Sequence, residues 1–514
     1  MNDAIKMKGT GEGKVGFHLL CGGVSHLISV GIAFFLTPFL IGRLGIETYG
    51  FYPIALEAMA VIGLLMGVLS ATANRYVAVE YMGERRAEAG KYLSTVFFSS
   101  LGLFLLLLAP AILFVVFSDS LLDMPVGQTG QIKGFLALMM GAAFLDAVTA
   151  VLGASYETTG RLDLRAAQEL ATVLVKGSLL WFLLSGVLPI SVISVGAAVL
   201  ASSFVGALFR IFMARHLIPD ILPRREQFSG AALRRVLASG TWYSVNELGG
   251  WLIGGGLLLL VNRMLGAAEA GVYSLALTAS RVVCGVMMVA AGVFVPTLTR
   301  QFAKGDRAAL LREILRCERL VGLFALVGVS MTVGFLREFL EVWLSAENTP
   351  LLRLLTVMAI IPILSVACAL PFFHLAVVMD RVRKMALLYL AGALLGVAAA
   401  IAAVFLGVGI LGVAAVSFGC RVLWFSVFMP LYAARLLGVE PLTLFTPVVR
   451  TYVGAALSVV LIFALKGVCR MSSPLEVFIV GAVSLCAVLA VGFFAVYAKN
   501  MVDFGEDIRY NSKK

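Results

Sequence analysis

The chain is a succession of long apolar runs separated by short polar segments. Fourteen runs can be recognised, at about 17–40, 50–72, 92–117, 134–156, 166–187, 190–212, 237–260, 272–296, 317–336, 351–376, 385–407, 409–430, 449–468 and 475–498. Each is close to the roughly 20 apolar residues that a helix needs to cross a bilayer. Helices are expected because an open sheet cannot satisfy its backbone hydrogen bonds in lipid. The pattern therefore predicts an all-α polytopic membrane protein with about 14 transmembrane helices.

Composition removes the main alternatives to this prediction. Of 514 residues, 61% are hydrophobic and only 13% are charged, whereas soluble domains are roughly 25% charged. No part of the chain has the composition of a sizeable soluble domain or of a disordered segment. A soluble enzyme is therefore excluded, and the sequence predicts no enzymatic activity.

The distribution of Lys and Arg predicts the orientation in the membrane. With the N-terminus inside, the inner segments hold thirty of the forty basic residues and the outer loops hold seven. Basic residues concentrate in cytoplasmic loops, so both termini are expected in the cytoplasm and the protein in the cell inner membrane. The same asymmetry accounts for the net charge of +11 without a nucleic-acid partner.

The two halves of the chain share weak internal similarity. The motif Leu44-Gly45, Gly50 and Tyr52 recurs as Leu265-Gly266, Gly271 and Tyr273 at an offset of 221 residues, and two further loop matches have offsets of 222 and 220. Six spans separate equivalent points, so the halves have the same orientation, as in transporters built from parallel repeats. The expected organisation is a tail (1–16), an N-lobe of six helices (17–212), a cytoplasmic inter-lobe loop (213–236), a C-lobe of six helices (237–430), an appended helix pair (449–498) and a cytoplasmic tail (499–514).

Equivalent faces of the first and seventh spans are polar or small. They comprise Gly22, Ser25, His26 and Ser29 in the first span, and Tyr243, Asn246, Glu247 and Gly250 in the seventh. The repeat offset superposes His26 on Glu247. These faces are candidates to line a central substrate cavity, with helix packing as the alternative because small and hydroxyl residues also concentrate at helix interfaces.

Ionisable groups inside membrane spans are costly and mark functional sites or ion pairs. Three are acidic and three basic: Glu57, Asp146, Glu247, Lys176, Arg281 and Arg421. Arg281 is the best candidate for a phosphate contact because a guanidinium binds phosphate in bidentate fashion. Its alternative is a structural pair with Glu57 or Asp146. Asp146, Lys176 and Arg421 are candidates for ion coupling or buried pairing.

Cysteine and histidine usage indicates no metal site and no cofactor. The seven cysteines stand singly with no CxxC pair, and the four histidines have no ligand spacing.

Two short motifs resemble a known family. Thr37-Pro38-Phe39-Leu40, Arg43-Leu44-Gly45 and Tyr49-Gly50 after the first span, with Asn74-Arg75-Tyr76 in the second, resemble bacterial polysaccharide (O-antigen type) flippases of the multidrug/oligosaccharidyl-lipid/polysaccharide exporter superfamily. The resemblance implies alternating access that moves an undecaprenyl-pyrophosphate-linked oligosaccharide from the inner to the outer leaflet for cell-surface polysaccharide synthesis. It also implies membrane lipids as partners and coupling to an H⁺ or Na⁺ gradient.

Other functions fit the same hydropathy. A lipid II-type flippase and a drug/cation antiporter of the same superfamily are alternatives, the second because Glu57 and Asp146 are carboxylates of the N-lobe. A membrane glycosyltransferase, polymerase or ligase is disfavoured because the outer loops are each under twenty residues long.

Overall fold

The protein is described here from a computed structural model. It describes residues 12–125, 127–186, 191–292, 294, 297–298, 301–302, 307–344, 348–379, 381–469 and 474–497. Every regular element within these ranges is a helix. The chain divides into two compact units: unit 1 runs to Val272 and includes Ala386–Val397, and unit 2 comprises Tyr273–Met385 and the chain from Ala398 onwards.

Unit 1 contains seven helices, the start of an eighth and part of a later one. Their bounds are α1 Glu12–Leu44, α2 Ile46–Met82, α3 Arg86–Val116, α4 Thr129–Ala150 with its continuation Ala154–Thr159, α5 Leu162–Leu184, α6 Val192–Leu217, α7 Gly230–Trp251 with Leu257–Leu265, and α8 Ala267–Gly292. A π-helical turn, Leu252–Gly256, joins the two parts of α7.

Unit 2 contains the rest of α8 and the helices that follow. They are α9 Arg307–Gly334, α10 Leu336–Trp343, α11 Pro350–Ile360 with Ile363–Val378, α12 Val382–Phe405, α13 Gly409–Val422 with Met429–Leu437, α14 Pro441–Val468 and α15 Pro474–Tyr497. The two parts of α13 are joined by the π-helical segment Leu423–Phe428.

Most helices are long and apolar enough to cross a membrane. Among the described residues, eleven pass this test, or twelve when α9 and α10, bent by 71°, count as one broken span. Shorter apolar stretches lie in α1 (Gly31–Leu44) and α15 (Ile479–Ala495). The fold class is confirmed as an all-α polytopic membrane protein; the count of fourteen spans and the six-helix lobe boundaries stay predictions.

Local sequence signals fix several helix ends. The Ser191 hydroxyl accepts a hydrogen bond from the Ile193 amide at 3.2 Å at the start of α6, and Thr349 does the same for Leu352 at 3.1 Å before Pro350 opens α11. Gly160 ends α4 with φ +68, in the left-handed region that favours glycine. The helices therefore begin and end where capping residues place them.

The segment between α6 and α7 is fastened to the start of α3. The backbone amides of Arg224 and Ser229 donate to the hydroxyls of Ser94 and Thr95, both at 3.0 Å. Arg86 also forms an ion pair with Asp220. This segment, predicted as a cytoplasmic loop, packs against the start of α3 within unit 1 rather than extending away from the helices.

The repeated glycine motif brings α2 and α8 into backbone contact. A Cβ on Gly50 would lie 3.2 Å from Cα of Gly271 and 3.5 Å from the carbonyl oxygen of Ala267, and a Cβ on Gly271 would lie 2.8 Å from the carbonyl oxygen of Ile46. The two contacts are equivalent under the offset of 221, because Gly50 corresponds to Gly271 and Ile46 corresponds to Ala267. The two copies of the motif therefore meet each other.

Unit 2 has its own core, where α9 packs against α11, α14 and α15. Glycines permit close approach: a Cβ on Gly322 would lie 3.0 Å from the Thr451 hydroxyl, and one on Gly334 would press into Ile462. Fully buried apolar side chains such as Val321, Ile360 and Ala367 fill the space between the helices.

Candidate functional site

Unit 1 encloses a polar cavity of about 210 Å³ between α2, α4, α5 and α6. We call it the Asp146 cavity. Its lining includes the polar residues Tyr52, Asp146, Thr172, Lys176, Ser202, Ser203 and Arg210. These side chains belong to helices that are apolar enough to span a membrane. The cavity therefore places charged groups within the membrane-spanning part of the protein.

Asp146 is held by two donors from α6. The Ser203 hydroxyl donates to one carboxylate oxygen at 2.6 Å, and the Arg210 guanidinium donates to the other at 3.0 Å. Arg210 also donates to the Thr149 hydroxyl at 2.8 Å. Because both charges of the pair are hydrogen-bonded, the desolvation that burial imposes on each is compensated. Asp146 therefore pairs with Arg210.

Lys176 adds a second cation to this cavity. Across the described part of the chain, its side chain takes part in no hydrogen bond or ion pair, and it is half-buried. With Asp146 neutralised by Arg210, the ammonium of Lys176 leaves the cavity with a net positive charge. The hydroxyls of Thr172 and Ser202 stand in the same lining. This arrangement suits an anionic ligand.

A second cavity of about 390 Å³ lies between α2 and α7. We call it the Glu247 cavity. Its lining is Ala60, Gly63, Leu64, Gly67, Tyr243, Ser244, Glu247, Gly250 and Trp251. Space for a Cβ is open at Gly63 and Gly67, where no atom lies within 4 Å. The α2 wall therefore consists of two glycines with Ala60 and Leu64, and it faces a carboxylate and two aromatic rings on α7.

Glu57 is buried beside this second cavity and is held by the π-helical turn of α7. The Trp251 indole donates to the backbone carbonyl of Glu57 at 3.2 Å. One turn later, Gly255 lies so close that a Cβ there would overlap the Glu57 carboxylate. Glu57 is only 8% exposed, so its position is fixed by packing against a glycine.

Comparison with known proteins addresses the fold. No family model matches the chain. The curated relative "Uncharacterized membrane protein EpsK" of Bacillus subtilis (strain 168) is 25% identical over 420 residues, covering 80% of this chain and 82% of that protein.

Solved structures align along most of the chain. The lipid II flippase MurJ in an inward closed conformation gives a TM-score of 0.65 at 12% identity, covering 93% of this chain and 99% of that one. The eukaryotic MATE transporter AtDTX14 gives 0.62 at 14% identity, covering 82% and 96%. An inward-facing multidrug resistance MATE transporter of the MOP superfamily gives 0.61 at 14% identity, covering 81% and 96%. The protein has the MATE/MurJ-like fold.

Within this MATE/MurJ-like fold, part of the predicted face on α7 lines a cavity. Tyr243 and Glu247 line the Glu247 cavity together with Gly250. Asn246, one residue before Glu247, is buried at 9% exposure. The structure thus brings three of the four residues of this face to one space.

The matching face on α1 makes packing contacts where it is described. The buried Ser25 hydroxyl donates to the carbonyl oxygen of Ala166 on α5 at 3.1 Å, and Ser29 donates to the carbonyl oxygen of Ser25 at 2.8 Å. The side chain of His26 lies outside the described residues. A role of this face in a cavity, and the pairing of His26 with Glu247, stay predictions.

The two predicted cations of unit 2 lie in one region. Arg421 lines a small cavity with Tyr273 and Ser417, and Arg281 lies about two turns beyond Tyr273 on α8. Tyr273 is the repeat equivalent of Tyr52, which lines the Asp146 cavity. Arg281 itself is exposed. Each copy of the motif therefore carries a tyrosine beside cationic groups.

Two functional candidates escaped the sequence analysis. Arg210 lies at the end of the run at about 190–212 and is not among the ionisable groups predicted inside the spans, although Ser203 and Arg210 are seven residues apart and so share one face of α6. Glu318 lay at the edge of the run that starts near 317, whereas α9 begins at Arg307. Among the described residues, no group of three or more His, Cys, Asp or Glu side chains could hold a metal ion.

Proposed function

We propose that this protein is a flippase for a lipid-linked oligosaccharide, an undecaprenyl-pyrophosphate glycan used for cell-surface polysaccharide. It moves the substrate from the inner to the outer leaflet by alternating access. The protein lies in the cytoplasmic membrane with both termini inside. The substrate and the surrounding membrane lipids are its partners.

The observation that carries this proposal is the charge of the Asp146 cavity. A pyrophosphate that leaves water needs cations and hydroxyl donors to replace its hydration. Arg210 neutralises Asp146 at 3.0 Å, and Lys176 remains as a further cation among hydroxyls. The cavity therefore offers what the polar head of such a lipid requires.

The fold supports the transport step. The structures with this fold are transporters and a flippase, in inward-facing, inward closed and outward-facing conformations. We assign the pyrophosphate contact to Lys176, and the phosphate contact of Arg281 stays a prediction. Tyr243, Asn246 and Glu247 are assigned to hydroxyl groups of the glycan. We also assign Ser25, His26 and Ser29 on α1 to the lining of the substrate cavity.

The test is leaflet transfer by purified protein in proteoliposomes. A fluorescent undecaprenyl-pyrophosphate glycan is reconstituted, and its appearance in the outer leaflet is followed with a membrane-impermeant quencher. Wild-type protein is expected to accelerate transfer over empty vesicles. Lys176→Ala should lose most of this acceleration, while Lys176→Arg keeps it because the cation is retained.

A matched control comes from an exposed lysine. Lys91 forms a surface ion pair with Glu88 at 2.7 Å, so Lys91→Ala should transfer the lipid like wild type. Absence of transfer by correctly folded wild-type protein would contradict the proposed function. Equal transfer by Lys176→Ala would remove Lys176 from the substrate site and leave the function standing.

The Glu247 cavity favours a second candidate, a drug or cation antiporter. A carboxylate flanked by Tyr243 and Trp251 combines charge attraction with the cation–π contacts that bind organic cations. The same vesicles loaded with a fluorescent lipophilic cation separate the two functions. Cation efflux that is lost in Glu247→Gln, together with no lipid transfer, would favour this second function.

A further inference from the structure

A carboxyl group in unit 2 is buried without any partner. Glu318 on α9 is 0% exposed, and neither of its carboxyl oxygens has a hydrogen-bond partner. An unpaired charge inside a membrane protein is costly, because no group replaces the water that it has lost. Glu318 is therefore a neutral acid in this conformation, which means that it carries a proton.

Among the described residues, no charged group forms a hydrogen bond or an ion pair with the Glu318 carboxyl. Helix α9 packs against α11, α14 and α15. The titratable groups on these helices include Cys368 and His374 on α11, and Arg450, Tyr452 and Lys466 on α14, while Cys486 on α15 is exposed. Lys466 is engaged by Glu338 at 2.7 Å. On its own helix, Arg319 follows directly and acts on Glu318 electrostatically.

Cys368 and Thr451 lie against α9 one turn from Glu318. The Cys368 thiol lies 3.6 Å from the Thr451 hydroxyl. One turn along α9, Gly322 lets both groups approach, since a Cβ there would lie 3.0 Å from the hydroxyl and 3.5 Å from the thiol. The acid thus faces weakly polar groups rather than ligands for a metal ion.

A chain of hydroxyls starts beside these two residues. Ser365, three residues before Cys368 on α11, contacts the hydroxyl of Tyr452, the neighbour of Thr451. Ser426 donates to Ser365 at 2.7 Å. Ser426 belongs to the π-helical segment Leu423–Phe428, and such segments are frequent at functional sites. A row of hydrogen-bonded hydroxyls can accept a proton and pass it on, whereas a single buried acid can only bind it.

We propose that Glu318 is the proton-binding site through which a proton gradient drives this protein. The acid is protonated while α9 is packed on α11 and α14, and it releases the proton when these helices separate. The proton moves between the carboxyl and water, and the carboxylate that remains is stabilised by that water. This inference rests on the proposed transport function for its role, and on the burial of Glu318 for its chemistry.

The first test reads the proton directly and needs no transport. Infrared spectra of purified wild-type protein and of Glu318→Gln are subtracted at neutral pH. The carbonyl stretch of a protonated carboxylic acid is expected in wild type and absent from the variant. Glu313→Gln is the matched control, because Glu313 lies on the same helix near Arg316 and should leave this band unchanged. No difference band at Glu318 would overturn the proposal.

The second test uses the lipid-transfer vesicles with and without a proton gradient. Glu318→Gln, which keeps the shape of the neutral acid, should fold and transfer lipid but lose the acceleration by the gradient. Glu318→Leu should behave in the same way. Acceleration of Glu318→Gln equal to wild type would overturn the proposal while the flippase function stands. If wild type transfers no lipid, the proposed function fails and the infrared band alone decides the proton site.

Discussion

At the scale of single residues, the Asp146–Arg210 pair sets the charge of its cavity. Arg210 meets the carboxylate of Asp146 and the hydroxyl of Thr149 with one nitrogen, and its side chain is 16% exposed. Removing one partner of such a pair strands the other charge, whereas replacing both can be nearly neutral. The pair therefore balances the charge of Asp146, and Lys176 remains as the cation that acts on an anionic ligand.

The contact between Gly255 and Glu57 predicts a sharp size limit at one position. Gly255→Ala places a methyl group on the Glu57 carboxylate and should destabilise the protein by about 1–3 kcal/mol, the usual cost of overpacking. Thermal unfolding in detergent measures the change. The double variant Gly255→Ala/Glu57→Ala removes the overlap and should recover most of the loss.

The neighbouring glycine is the control for this prediction. Gly256→Ala carries the same gain in helix propensity, but its Cβ would meet Trp251 atoms at ordinary distances of 3.5–3.6 Å. Its unfolding temperature should stay at or above that of wild type. Equal unfolding temperatures of Gly255→Ala and Gly256→Ala would mean that Glu57 does not lie against the π-helical turn.

At the scale of secondary-structure elements, α2 and α8 meet at Gly50 and Gly271. Any larger side chain at either position must push the two helix starts apart, because the atoms it would meet are backbone. Gly50→Val and Gly271→Val should each lower the unfolding temperature. Gly42→Val should not, because no atom lies within 4 Å of a Cβ at Gly42.

Cross-linking provides an independent measurement of this contact. In a background without other cysteines, Gly50→Cys/Gly271→Cys should form a disulfide on mild oxidation, detected as a mobility shift that a reductant reverses. Gly42→Cys/Gly271→Cys should remain uncross-linked. Failure of the first pair to cross-link under any condition would contradict the contact between the two motif copies.

Sequence alone was sufficient for the helical class of the protein and insufficient for the contacts between its helices. Apolar run length predicted the helical class because lipid leaves the backbone no other solution. It misjudged where α9 begins, since Arg307 to Arg316 form polar turns that continue the helix beyond the apolar run. The π-helical turn beside Glu57 follows from packing between distant segments, which no local pattern of residues encodes. Arg210 was within reach, through its seven-residue spacing from Ser203.

At the scale of the whole molecule, the distribution of Lys and Arg predicts the side of the membrane on which each loop lies. Phe228→Cys in the segment between α6 and α7 should resist an impermeant thiol reagent added outside intact cells. Ser120→Cys, in the exposed segment between α3 and α4, should react. Both should react after permeabilisation, and labelling of Phe228→Cys from outside would overturn the orientation.

The contact between Gly50 and Gly271 is also reciprocal. Gly50 approaches the carbonyl of Ala267, and Gly271 approaches the carbonyl of Ile46, which is the reciprocal pattern of a twofold interface in which i meets j and j meets i. Gly50 and Gly271 are separate positions of one chain, so a substitution at one of them changes one side of this reciprocal contact and leaves the other side as it was.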